Sequence, residues 1–242
     1  NTPDGTTALG AGGRVDLTLA KNHLLHFAVK QAALKAAAKN GGLIQANHGG
    51  TVVLSARAKN AALQTVVNNT GVVRAHGVGH KQGRIALLGG QSGTTRVAGT
   101  LDTSTPHSGN GGTIETSGDH VQVANNATIT TQAANGTAGQ WTIDPNNFTI
   151  AASGGDITGS NLSSQLQNGN VTIHSSNGST TNGKGDINVD APVSWSQNQL
   201  TLSAYRAINV NAAMTAGSNA GLAFDYGQGS ANGTINGTRA TD

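Results

Sequence analysis

Asn40-Gly-Gly-Leu-Ile-Gln-Ala-Asn-His-Gly-Gly-Thr-Val-Val-Leu54 (NGGLIQANHGGTVVL) contains two short apolar runs, each introduced by glycine. A turn residue followed by a few alternating or β-branched residues marks a short strand. The first run, Gly42-Leu-Ile-Gln-Ala46, recurs as Gly71-Val-Val-Arg-Ala75, Gly99-Thr-Leu-Asp-Thr103 and Gly112-Thr-Ile-Glu-Thr116. The second, Gly50-Thr-Val-Val-Leu54, recurs as Gly83-Arg-Ile-Ala-Leu87. Gly42, Gly71 and Gly99 are 29 and 28 residues apart, within the period of about 20–50 that marks solenoids, propellers and arrays. The expected architecture is all-β, with about one strand pair per coil.

Further along, the strands shorten to Val121-Gln-Val123, Thr128-Ile-Thr130, Trp141-Thr-Ile143, Val171-Thr-Ile173, Ile187-Asn-Val189, Leu200-Thr-Leu202 and Ile208-Asn-Val210. In a strand, first and third side chains share a face, so a coil would place Ile187 and Val189 inside. Asp144-Pro-Asn-Asn147 reads as a turn between two strands, which makes Trp141 and Phe148 core or end-packing residues. Two Ala- and Leu-rich runs depart from the pattern. Residues 28–39 (AVKQAALKAAAK) and 55–67 are expected to be short helical insertions on helix propensity, the first stopped by Asn40-Gly41-Gly42.

Composition narrows the function classes. Aromatic residues make up 3% and charged residues 10% of the 242, with 35 glycines and no cysteine, whereas an ordinary globular domain is about 25% charged. A core built from Ala, Val, Ile and Leu must be narrow, which suits stacked short strands. Disorder would account for the Gly, Ser, Asn and Thr, but not for the regular apolar alternation. No segment reads as a linker, so residues 1–242 are taken as one domain. No disulfide framework or thiolate chemistry is available. No apolar run approaches the roughly 20 residues of a membrane span, so membrane insertion is not expected. Residues 1–100 hold eleven Lys/Arg against Asp4 and Asp16, a net of +9, while residues 101–242 hold three against nine acids, a net of −6. The cations are dispersed and no stacking aromatics lie among them, so nucleic acid is not an expected partner.

Chemistry-bearing patterns are sparse. Glycosidic cleavage would use two carboxylates, or acids and a cation on one face; the available acids are Asp102, Glu115, Asp119, Asp144, Asp156, Asp186 and Asp190. None has a reproducibly spaced Arg or Lys. His76 and His80 have metal-ligand spacing for a helix, but Gly77-Val78-Gly79 between them argues for a loop. No nucleophile elbow, Ser-His-Asp pattern or phosphate loop is present. The expectation is no enzyme activity, no cofactor and no metal. Sequons occur at Asn68, Asn126, Asn135, Asn147, Asn161, Asn170, Asn177, Asn232 and Asn236; they are the glycosylation candidates, although turn chemistry also accounts for so many asparagines.

Five segments carry a resemblance. They are Asn40–Ala58, VVNNTGVVRAHG (Val66–Gly77), GGTIETSGDHVQV (Gly111–Val123), QWTIDPNNFTIAASGGDITGSNLSSQL (Gln140–Leu166) and GDINVDAPVSWSQNQLTLSAYRAINVNAAMTA (Gly185–Ala216). Together they resemble the filamentous-haemagglutinin type of two-partner-secreted exoprotein (TpsA-like adhesins), in the region just downstream of the secretion domain, with residues 1–20 as that domain's tail. The resemblance implies a right-handed parallel β-helix, export through an outer-membrane TpsB-type transporter recognised by an upstream domain, and a secreted or cell-surface location on a Gram-negative bacterium. It also implies roles in adhesion, aggregation or biofilm, through a shaft. No equivalent of the family's Asn-Pro-rich recognition motifs is found in Asn1–Gly13. Unpaired strand edges and the opposed charge of the two halves add an expectation of end-to-end self-association into filaments. The alternatives are a stalk that binds host or matrix glycans and a β-helix polysaccharide lyase.

Overall fold

The computed structural model describes residues 2–19, 25–59, 65–176 and 184–227. The chain opens with β1 (Thr6–Ala11) and departs into an antiparallel hairpin, β2 (Arg14–Leu19) and β3 (Leu25–Gln31). It then enters a cycle of three strands. β4 (Ala38–Asn40) and β5 (Leu43–Gln45) lead to β6 (Thr51–Ala56), and β7 (Thr65–Asn69) and β8 (Val72–Arg74) lead to β9 (Arg84–Leu88). In the same way β10 (Thr94–Val97) and β11 (Thr100–Asp102) lead to β12 (Thr113–Ser117), and β13 (His120–Val123) and β14 (Thr128–Thr130) to β15 (Gln140–Asp144). After these come β16 (Phe148–Ala151), β17 (Ile157–Thr158), the helix α1 (Gly159–Leu166) and β18 (Asn170–Ser175). The last elements are β19 (Ile187–Val189), β20 (Val193–Ala204), β21 (Ile208–Val210) and β22 (Met214–Asp225).

Corresponding strands of successive circuits pair in parallel. One sheet runs β1-β6-β9-β12-β15-β18-β20-β22; two others run β4-β7-β10-β13 and β5-β8-β11-β14, and a fourth runs β17-β16-β19-β21. The described protein is therefore strand-rich, with long parallel sheets and one helix.

Register explains the core. Val52, Ile85, Ile114, Trp141, Val171 and Leu200 are successive partners along the eight-stranded sheet, and each is at most 1% exposed. Two residues on, Leu54, Leu87, Thr116, Ile143, Ile173 and Leu202 form a second buried row. From the opposite wall come Val73, Leu101 and Ile129. Each large aliphatic side chain so buried contributes about 1.5–3 kcal/mol. The polar Thr116 fits this apolar row because the Trp141 indole Nε1 donates to its Oγ1 at 3.1 Å, satisfying an N–H that a dry core would otherwise orphan.

The recurring glycines are required by close approach between circuits. A Cβ on Gly71 would lie 2.2 Å from the Gly42 carbonyl oxygen, and one on Gly99 would lie 2.0 Å from that of Gly71. Gly112 and Gly139 continue a second column, where an added Cβ would lie 2.3 Å and 2.0 Å from the carbonyl oxygens of Gly83 and Gly112. Beside the first column, Asn40 Nδ2 donates to Asn69 Oδ1 at 2.8 Å, and Asn69 Nδ2 donates to the Gly71 carbonyl at 3.1 Å. These buried amides satisfy the corner backbone, as a narrow core requires.

The sequence expected helices at 28–39 and 55–67; the first does not form, and the described residues of the second form no helix. Ala28–Gln31 belongs to β3, Ala33 bridges to Ala58, Lys35 has a φ of +54°, and Ala38–Lys39 begins β4. In the second run Ser55 and Ala56 end β6 and Thr65–Val67 begins β7; residues 60–64 lie outside the described residues. The alanines serve the narrow interior: Ala38, Ala56 and Ala58 are 2%, 0% and 3% exposed. Burial of this kind overrides intrinsic helix propensity.

The helix lies where the circuit departs from its pattern. After β16 the chain loops back so that β17 pairs in parallel with β16, Ile157 opposite Ile150. The Asp156 carbonyl meanwhile accepts from the Val123 N–H at 2.8 Å. α1 follows, packed against β14 and β20. Thr158 caps it by accepting from the Asn161 N–H, and Leu162 and Leu166 bury one side completely.

Strand β14 would be left with an unpaired edge beneath this helix, but α1 supplies side chains that act as peptide groups. Gln165 Oε1 accepts from the Ile129 N–H at 2.8 Å and its Nε2 donates to the Ala127 carbonyl at 3.0 Å. Asn161 Nδ2 does the same for the Ala124 carbonyl at 2.8 Å. On the other side Ser163 Oγ accepts from the Ser194 N–H at 2.9 Å. The helix thus fills one layer of the stack.

Candidate functional site

Outward-facing side chains meet across adjacent circuits, and most of the candidate acids find a partner there. Arg84 donates to Glu115 at 3.2 Å, and Asp144 faces His174 at 3.3 Å. Arg206 Nε donates to Asp186 at 2.6 Å and Asn211 to Asp190 at 2.7 Å. Asp119, almost fully buried, accepts from Asn146 and lies 3.6 Å from His120. Glu115, Asp144 and Arg84 line one shallow groove of about 340 Å³ on the eight-stranded sheet, where cross-strand ion pairing is the arrangement they adopt.

Asp102 is the most densely held carboxylate. Its Oδ2 lies 2.8 Å from His76 Nε2 and 3.4 Å from Arg74 Nε, while its Oδ1 accepts from the Ser104 N–H and hydroxyl at 3.0 and 2.7 Å. Burial opposes its ionisation, yet the bonds from His76 and Ser104 outweigh it and hold the carboxyl at about 2. Asp156 shows the reverse. Burial pushes its carboxyl up to about 6, against the opposing hydrogen bond from the Thr149 N–H at 2.8 Å. The hydrogen bond to Asp144 holds the His174 imidazolium above the ordinary histidine range.

His76 is committed to Asp102, while His80 sits in the turn between the bridged residues Val78 and Lys81. Among the described residues no group of three or more His, Asp or Glu side chains is placed to hold a metal ion, and no helix is long and apolar enough to cross a membrane. The sequon asparagines are distributed over the circuits. Asn126 and Asn135 are exposed and donate to the Ala98 and His107 carbonyls at 3.0 and 2.8 Å. Asn147 Oδ1 accepts from the N–H groups of Lys184, Gly185 and Asp186. Asn170 joins Gly139 to Gln199, Asn161 lies buried in α1, and Asn68 is half-buried on β7. Asn177, Asn232 and Asn236 lie outside the described residues.

Sequence reasoning missed an amide-lined groove at the C-terminal end of α1. Its cavity volume is about 490 Å³, and it is lined by Ser104, Gln132, Gln167, Gln197 and Asn198 over a floor of Ala, Gly and Pro. Gln132 Nε2 donates to the Gln167 carbonyl at 3.3 Å and to Asn168 Oδ1 at 3.1 Å; Gln197 Nε2 donates to that same carbonyl at 2.6 Å. Asn198 Nδ2 donates to the Leu166 carbonyl at 2.7 Å. These amides satisfy the open carbonyls at the helix end. Gln132, Gln167 and Gln197 are 35 and 30 residues apart, a spacing close enough to the circuit length to have flagged them.

No protein-family profile matches the chain, and no curated protein matches it.

Proposed function

We propose that the chain is a right-handed parallel β-helix that serves as the structural, adhesive shaft of an extracellular protein of the filamentous-haemagglutinin type. One observation carries the reading: the in-register parallel pairing that persists from β1 to β22. Eight strands spaced by about 4.8 Å make a stack about 34 Å long. The hand follows from the near-universal right-handedness of parallel crossovers. Stacked circuits suit a shaft because each contacts only its neighbours, so length is added without a larger core. The outer surface fits the role too: charged residues are only 10% of the chain, which leaves Thr, Ser, Asn and Gln to face solvent. The secreted, surface-displayed setting comes from the resemblance of the five segments quoted above.

The test is adhesion under flow. Beads coated with the folded chain are passed over epithelial cells and over glycan-coated glass, with albumin-coated and heat-denatured controls. Retention that depends on the fold supports the shaft reading; retention no better than albumin refutes it. Negative-stain electron microscopy at low and high salt separates short rods from filaments. Filaments that disperse in salt would support end-to-end association through the edges of β1 and β22, each paired on one side only among the described residues.

A further inference from the structure

We propose that the groove at the C-terminal end of α1 is a binding site for a neutral oligosaccharide lying along the shaft. The inference rests on the adhesive-shaft reading and gives it a contact surface. Its lining holds no Asp, Glu, Lys, Arg or His, so a charged ligand would lose hydration there without gaining a partner. Hydroxyl groups, which donate and accept at once, match an amide lining.

The amides are held in place before any ligand arrives. With their N–H groups given to the Gln167 carbonyl, Gln132 and Gln197 keep their Oε1 atoms as acceptors. Gln167 Oε1 accepts from Ser196 at 3.3 Å, which leaves its Nε2 as a donor. Acceptor, donor and acceptor therefore follow one another on three successive layers. Layers about 4.8 Å apart approximate the length of one pyranose in an extended chain. The small floor residues, Ala133, Ala134, Gly136 and Ala138, leave room for the ring. Fixed groups lower the ordering entropy of binding. Among the described residues no aromatic side chain lines the groove, so no stacking platform strengthens the site. Affinity is accordingly low, with a Kd of about 1 mM.

The experiment is an ¹⁵N-resolved NMR titration of the full chain with cellohexaose, chitohexaose and, as the anionic counterpart, hexagalacturonate. The expected result is saturable shifts at the side-chain amides of Gln132, Gln167 and Gln197 with a neutral hexamer. Gln132→Ala and Gln197→Ala should each weaken binding about fivefold, as loss of one hydrogen bond does. Ala134→Ile, on an exposed floor position, fills the groove without adding a stacking face and should abolish binding while the remaining spectrum stays folded. The inference is overturned by no shifts at about 10 mM of either neutral hexamer, by response to hexagalacturonate alone, or by binding that survives Ala134→Ile. If those results coincide with fold-dependent bead adhesion, the groove is wrong and the shaft stands. If the groove titrates and the beads do not adhere, the shaft reading fails instead.

Discussion

Replacing Gln165 by leucine removes a side chain that stands in for a peptide group, at nearly unchanged volume. Gln165 is 5% exposed, and its amide pairs with the Ile129 N–H on β14 and the Ala127 carbonyl just before it. Both backbone groups lie beneath α1, out of reach of water. A buried group left unpaired costs about 1–3 kcal/mol, so orphaning these two should make Gln165→Leu less stable by about 2–6 kcal/mol. That is a large share of a net stability of about 5–15 kcal/mol. Urea unfolding followed by circular dichroism gives the total. Hydrogen exchange at the Ile129 amide gives the local effect, and its protection should fall by a similar free energy. Gln165→Glu supplies a second check. An ionised carboxylate accepts from Ile129 but cannot donate to Ala127, whereas a protonated one does both. The deficit of the Glu variant against the parent at the same pH should shrink as the solution is acidified. A Leu variant within about 0.5 kcal/mol of the parent, or one with Ile129 still protected, would refute the idea that a side chain completes this layer.

Two further outcomes follow from the corners and the buried acid. Gly99→Ala should destabilise by about 1–3 kcal/mol, read by urea unfolding, because its methyl would press on the Gly71 carbonyl at 2.0 Å. Gly154→Ala, which meets no neighbour but has a φ of +72°, should lose only the smaller penalty of a left-handed backbone, about 1 kcal/mol. Asp156 has a folded pKa of about 6, raised from 3.8, so its protonated form is favoured by folding. Its ionisation therefore weakens the fold as pH rises from about 4 through about 6. Asp156→Asn should be more stable than the parent above pH 6, by up to about 3 kcal/mol, and equal to it near pH 3.8. A constant difference across that window would contradict the assignment.

The repeat was legible because its causes are local. Gly42, Gly71 and Gly99 recur at one circuit, and the alternating residues after them alone determine which side faces inward. The physical role of the later two was not legible: they read as turn residues, whereas at Gly71 and Gly99 a carbonyl one circuit away excludes a side chain, and at Gly42 none does. The Ala-rich segments misled for the same reason. Alanine is the best helix former in isolation, and it is also among the few residues that fit where Ala56 and Ala58 pack between walls. Gly159–Leu166 sets three good helix formers among Gly, Ser and Asn, and forms a helix because those three, Leu162, Gln165 and Leu166, fill a layer between β14 and β20. The amide groove, signalled only by the spacing of its glutamines, was missed for a related reason. Its residues become neighbours only once the circuits stack, and glutamine carries no motif of its own.

The stacking itself can be tested through the chain's lack of cysteine, which leaves an engineered pair without competitors. Thr142 and Thr172 are register partners on β15 and β18, half-buried on the outer face. Adjacent parallel strands about 4.8 Å apart lie within the Cα separation of about 4.4–6.8 Å that a disulfide tolerates. Mild oxidation of Thr142→Cys/Thr172→Cys should give a near-quantitative intramolecular disulfide, while Thr142→Cys/Ile173→Cys, whose side chains face opposite sides, should stay reduced. The reverse pattern, or equal oxidation of both pairs, would contradict the parallel in-register stack on which the shaft rests.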